Sequence, residues 1–187
     1  MRLYTILTLL VFFTAACRQN NIPTEGFVDV YGGKIWYKIF GSDQKKTPLL
    51  VLHGGPGFPS DYLKALQELA PERRVIFYDQ LGCGRSDKPN DTTLWNIERF
   101  AGEIAVLRTA LALDTIHLFS HSFGTLLAAE YLASGPGGIK SIIFSGPIFS
   151  TRRHLEVVNE MKLNLPSVVR DTLLHMKIGE QYFLILM

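Results

Sequence analysis

Ser122 lies in the string Ser120-His121-Ser122-Phe123-Gly124, between the short apolar run 115–119 and the Ala-rich apolar stretch 125–133. A serine on a sharp turn from a buried strand into a helix presents its hydroxyl at the end of a sheet, where it can act as a nucleophile. Such a turn needs small residues two before and two after the serine. Gly124 meets this, and Ser120 stands where a glycine is usual. The helix that follows adds free N–H groups and a dipole that favour negative charge beside Ser122. The plainer alternative is that Ser122 only caps that helix. The strand, turn and helix context favours the nucleophile.

Acyl transfer through a tetrahedral intermediate needs two donors aimed at the developing oxyanion. The N–H of Phe123, next after the nucleophile, is one candidate. The other is an N–H from His53-Gly54-Gly55-Pro56-Gly57, at the end of the apolar run 49–53. Glycines there let the backbone come close to a substrate, although the same string also suits a mere tight turn. His53 is read as a histidine that holds this loop, and not as the base. A third loop, Asp79-Gln80-Leu81-Gly82-Cys83-Gly84-Arg85-Ser86, follows the run 74–79. Asp79 or Arg85 could brace it. Cys83 is not read as a nucleophile, because no His/Asn partner pattern accompanies it. No metal-ligand spacing occurs, and no cofactor is expected.

These three loops need elements to position them. Runs 27–31 and 34–40 are rich in β-formers and flank Gly32-Gly33, a hairpin signal. The run 49–53 is short and continuously apolar up to His53, as a strand buried on both faces is, and 74–79, 115–119 and 139–145 read as further buried strands. Between them, 60–69, 95–113 and 125–133 have helical character, with one apolar stripe along the second. Strands alternating with helices after a leading hairpin predict an α/β fold with a mostly parallel sheet. From about residue 149 the pattern becomes charged and amphipathic, with helices over 152–163 and from Pro166 to about 177.

The 187 residues carry 19 Lys and Arg against 17 Asp and Glu, and 47% are hydrophobic. That balance excludes a disordered chain, and without a basic block nothing suggests nucleic acid as a partner. Residues 1–17 do not read as part of the fold. Arg2 precedes an apolar run to about Phe13, and Thr14-Ala15-Ala16-Cys17 is similar to a bacterial lipobox. Cys17 is therefore the expected lipidation site, with 18–25 a polar tether. The expected location is the bacterial cell envelope, in the periplasm or at the outer surface, with the membrane reached through that anchor. A plain signal peptide or an N-terminal anchor is the alternative.

His53-Gly-Gly-Pro-Gly57, then Asp79-Gln80 with Gly82, Gly84 and Ser86, then Ser122 in its turn, together resemble the proline iminopeptidase family of α/β-hydrolases. The resemblance covers about residues 26–165. It implies a serine peptidase that releases N-terminal residues, often proline, from short peptides, with Ser122 as nucleophile and the N–H groups of Gly55 and Phe123 as the oxyanion hole. His53, Gly54 and Asp79 are then supports. The core is expected over 26–148 and the start of a helical cap over 149–187. Epoxide hydrolases and dehalogenases of this fold carry Asp where Ser122 stands, and are not expected. A carboxylesterase or amino-acid amidase would use the same parts on small esters or amides.

Chain order in this fold is Ser, then Asp or Glu, then His. After Ser122 the histidines are His154 and His175, both in cap-like helices, and His121 adjoins the nucleophile but should point away from it. The sequence therefore reads as the N-terminal part of a hydrolase, inactive for want of the late acid and base. A non-catalytic fragment or pseudoenzyme is the alternative from another class.

Overall fold

The computed structural model describes residues 24–43 and 45–175. The leader, Cys17 and residues 18–23 of the expected tether lie outside the described residues. The first strand already begins at Glu25, the last residue of that tether.

Strands β1 (Glu25–Val30) and β2 (Gly33–Phe40) form the leading hairpin, with Val30 opposite Gly33. Gly32 makes the tight turn possible by taking φ 97°, a left-handed conformation that costs other residues dearly. Strands β3 (Leu49–Leu52) and β4 (Val75–Tyr78) are buried at every position, as their unbroken apolar character predicts. β5 (Ile116–His121) and β6 (Ile139–Ser145) complete a six-stranded sheet in the order β1-β2-β4-β3-β5-β6, but against expectation β5 is buried only at alternate positions and β6, at the sheet edge, at none. The hairpin joins it antiparallel through β2 and β4, and β4, β3, β5 and β6 run parallel.

Helices α1 (Ile97–Ala110) and α2 (Phe123–Ala133) cover one face. There Leu50, Leu52, Ile76 and Leu118 from the strands pack with Ile104, Leu107 and Leu127 from the helices. Each fully buried side chain of this size is worth about 1.5–3 kcal/mol. On the other face a second cluster joins Leu49, Val51, Val75 and Phe77 to Leu63 and Leu66. Those two leucines come from Ser60–Leu69, the predicted helical stretch, which is wound as a 3₁₀ helix. α1 is shorter at both ends than the expected 95–113. Asn96 caps its start, its side chain accepting from Arg99 N–H at 2.9 Å. At its end Ala112 turns left-handed at φ 49°, and Leu113 N–H reaches back to Arg108 O at 2.8 Å.

Beyond β6, Ser150 caps α3 (Thr151–Leu163), and α4 (Ser167–His175) follows. Met161, Leu163 and Val168 are exposed there. No helix among the described residues is long and apolar enough to cross a membrane.

Candidate active site

The parallel register brings the C-terminal ends of β3, β4 and β5 to one edge of the sheet, with Leu52 beside Ser120 and His121 beside Ser145. Each of the three loops picked out in the sequence leaves from that edge. Ser122 stands between β5 and α2 at φ 51° and ψ −120°. A non-glycine residue there stores on the order of 1–3 kcal/mol, and persists only when its surroundings over-determine it. They do so here. Ser122 N–H donates to Ser145 O at 3.0 Å, and Ser122 O accepts from the N–H and the hydroxyl of Thr125. Ser122 occupies the N-cap position of α2, yet its side chain caps no N–H. The half-buried hydroxyl is left for other work.

The small-residue rule around the turn has two separate causes. A Cβ on Gly124 would sit 2.7 Å from His53 O and 2.9 Å from Leu52 O, so only glycine lets α2 lie this close to β3. Ser120 is fully buried, and its hydroxyl donates to Ile143 O on β6 at 3.0 Å. A serine fits where a glycine is usual because that hydroxyl has an acceptor.

The loop after β3 is clamped at two successive peptides. In the peptide from His53 to Gly54, the carbonyl accepts from Gln80 Nε2 at 2.8 Å and the N–H donates to Tyr62 Oη at 2.6 Å. In the next peptide, Gly54 O accepts from His53 Nδ1 at 2.7 Å. A trans peptide points its N–H opposite to its C=O. That hydrogen bond therefore turns Gly55 N–H the other way, and Gly55 N–H has no partner among the described residues. Gly54 N–H, by contrast, is already used. Phe123 N–H, in the first turn of α2, also has no partner among the described residues. A Cβ on Gly54 would lie 2.9 Å from Ser122 Cβ, which places loop and nucleophile side by side.

His53 has both ring nitrogens engaged: Nδ1 donates to Gly54 O, and Nε2 accepts from Gln80 N–H at 2.9 Å. It has no exposed surface, and burial pushes its pKa down, so the ring is neutral. Asp79 is equally buried. Its Oδ1 takes the N–H and hydroxyl of Ser60 at 2.8 and 2.7 Å, and its Oδ2 takes Arg85 N–H at 2.9 Å. Gly84 must be a glycine, because a Cβ there would lie 2.0 Å from Asp79 Oδ2. Arg85 also lies 4.3 Å over the Trp36 ring and pairs with Asp61 at 3.0 Å. Cys83 is buried, and burial pushes its thiol up to about 11, where almost no thiolate forms at neutral pH.

None of His117, His121 and His154 is hydrogen-bonded to Ser122. His121 Nδ1 pairs with Tyr62 Oη at 2.8 Å, His117 Nδ1 pairs with Ser141 Oγ at 2.7 Å, and His154 is exposed on α3. No group of three or more metal-capable side chains occurs among the described residues. Tyr62, Ser60 and Glu103 carry the site's internal bonding without having stood out in the sequence, while Gln80, part of the motif that carries the resemblance, takes the bonds that hold His53.

Residues 47–174 match the family model described as alpha/beta hydrolase fold. The chain belongs to the α/β-hydrolase fold family. Among its α/β-hydrolase relatives is the proline iminopeptidase of Heyndrickxia coagulans, 47% identical over 150 residues, which are 80% of this chain and 52% of that one. The proline iminopeptidase of Lactobacillus crispatus strain ST1 is 40% identical over 76% of this chain and 50% of its own. The chain thus spans about half the length of the relatives it matches. Among solved α/β-hydrolases, VinJ superposes with TM-score 0.76 at 29% identity, covering 87% of this chain and 58% of that one. The proline iminopeptidase of Mycobacterium smegmatis gives TM-score 0.71 at 29% identity, covering 84% and 55%.

Proposed function

We propose that this chain carries the nucleophile and the oxyanion donors of a serine hydrolase that removes N-terminal residues, proline among them, from short peptides. The observation that carries the reading is Ser122, held at φ 51° with an uncommitted side chain beside two unclaimed N–H groups, Gly55 and Phe123. Ser122 Oγ attacks the carbonyl carbon of the first peptide bond and gives its proton to a histidine base supplied from outside the described residues, since His53, His117 and His121 are bonded elsewhere. The two N–H groups take the negative charge on the carbonyl oxygen, a kind of contact whose loss costs about 10²–10³ in rate. The C–N bond then breaks, the leaving amine takes the proton, and water hydrolyses the acyl-enzyme. The names of the relatives support an N-terminal residue as the acyl group. His53, Gly54 and Asp79 act as supports that hold the donors and touch no substrate.

In a protein that spans the full length of the relatives and so includes the late acid and base, a fluorophosphonate probe is expected to label Ser122, with labelling and proline-arylamide hydrolysis both lost in Ser122→Ala. Labelling at Cys83, or activity retained in the alanine variant, would overturn the assignment.

The proposal extends to Cys17 as a lipidated residue that anchors an exported protein to the cell envelope, on the strength of the apolar run followed by Ala15-Ala16-Cys17. Metabolic acyl labelling is expected in the wild type and not in Cys17→Ala. Equal labelling of the two would sink it.

A further inference from the structure

The two oxyanion donors come from different parts of the chain, and their separation must be fixed to a fraction of an ångström for both to reach one oxygen. Gly55 belongs to the loop after β3, and Phe123 opens α2. Three of the hydrogen bonds that clamp the loop come from His53 and Gln80, on the side of β3 and β4, and a fourth runs from Gly57 N–H to Cys83 Sγ at 3.3 Å. The remaining one, Gly54 N–H to Tyr62 Oη, has a different continuation. Tyr62 Oη sits 2.8 Å from Nδ1 of His121, the residue that ends β5 and immediately precedes Ser122. The two rings also meet edge to face, with centroids 5.4 Å apart. Gly54 N–H can only donate, so the Tyr62 oxygen accepts there and its own proton is free for His121. Burial raises the Tyr62 pKa, which keeps that proton in place.

We infer that Tyr62 and His121 form a hydrogen-bonded strut that ties the Gly54–Gly55 loop to the Ser122 turn and so sets the spacing of the two oxyanion donors. Tyr62 and His121 are positioning residues for the reaction proposed above, on which the kinetic part of this inference rests. The strut requires His121 as the Nε2–H tautomer, with Nδ1 accepting. His53 has the opposite arrangement, Nδ1–H with Nε2 accepting. Two histidines at one site are therefore held in opposite tautomers.

Nitrogen-15 spectra of histidine-labelled wild-type protein test the strut without any activity. His121 is expected as Nε2–H and His53 as Nδ1–H. Tyr62→Phe should release the His121 tautomer and leave His53 unchanged. The kinetic test is the rate at which a fluorophosphonate labels Ser122 in a protein that spans the full length of the relatives and so includes the base. Tyr62→Phe and His121→Ala are expected to slow it about ten- to hundredfold, in line with the cost of a small misplacement of catalytic groups. His121→Asn, whose amide oxygen can stand where Nδ1 stands, should recover most of the rate. His121 found as Nδ1–H, or Tyr62→Phe labelled at the wild-type rate, would overturn the inference. No labelling of that longer protein would instead defeat the serine-hydrolase reading, and the tautomer measurement would still decide the strut.

Discussion

Asp79 and Glu103 are both buried carboxylates, with 0% and 1% of their surface exposed, yet they are driven in opposite directions. Burial pushes Asp79 up, but the Ser60 and Arg85 N–H groups and the Ser60 hydroxyl outweigh it, and the carboxyl ends below its ordinary value. Around Glu103, burial outweighs the Arg99 guanidinium and the Leu81 N–H, and the carboxyl is pushed up to about 7. The difference lies in the donors. Both oxygens of Asp79 are engaged. Glu103 Oε1 takes Leu81 N–H and Arg99 Nη1, while Oε2 has no partner among the described residues, nor has the neighbouring Arg99 Nη2. A buried charge is decided by how many of its lone pairs are met, and burial alone does not predict the sign. The fully met carboxylate is the one that braces the loops of the candidate site.

The largest effect expected from breaking this contrast is that of Asp79→Ala. It strands the N–H and hydroxyl of Ser60 and the N–H of Arg85 together, and should cost about 3–5 kcal/mol, read from the urea midpoint. A loss under about 1 kcal/mol would mean that the loops hold themselves without it.

The next concerns pH. A carboxyl raised from 4.5 to about 7 in the folded state favours folding while it stays protonated, so its contribution is complete below about pH 4.5 and falls away as pH rises towards 7. The full span is worth about 3 kcal/mol at 1.36 kcal/mol per unit. Glu103→Gln should flatten that slope in urea titrations between these limits, and equal slopes would refute it. Asp79 works the other way. Its stabilisation is present above its ordinary value of 3.8 and is lost as pH falls below it.

Smallest is Ser60→Ala, which removes one of the four donors to Asp79 and leaves the Ser60 N–H in place. A shift of about 1 kcal/mol is expected in the same urea assay. A shift as large as that of Asp79→Ala would mean that the cage behaves as a single unit.

Much of the frame was legible in the residues. The continuous apolar runs at 49–53 and 74–79 became strands buried on both faces, and Gly32-Gly33 marked the hairpin. The serine turn could be read because its signal is local: a strand, small residues and a helix within a few positions. What stayed hidden depends on partners far along the chain. Tyr62 meets His121 across 59 positions, and Gln80 meets His53 across 27. No periodicity carries such pairs, and Tyr62 reads simply as one more residue of a helical stretch. The tight winding of Ser60–Leu69 was equally invisible, because 3₁₀ and α helices draw on much the same residue types. The degenerate first position of the turn, Ser120, became intelligible only when β6 supplied Ile143 O as its acceptor.

The clamp on the loop after β3 has a consequence in time as well as in space. Gly54 and Gly55 are neighbours in one short loop, yet the first amide is buried and bonded while the second is exposed and unclaimed. In deuterated water the Gly54 hydrogen leaves only when the whole clamp opens, whereas the Gly55 hydrogen trades freely with the solvent. Two adjacent peptides thus keep different clocks. The faster one belongs to the group that has to accept a sudden charge.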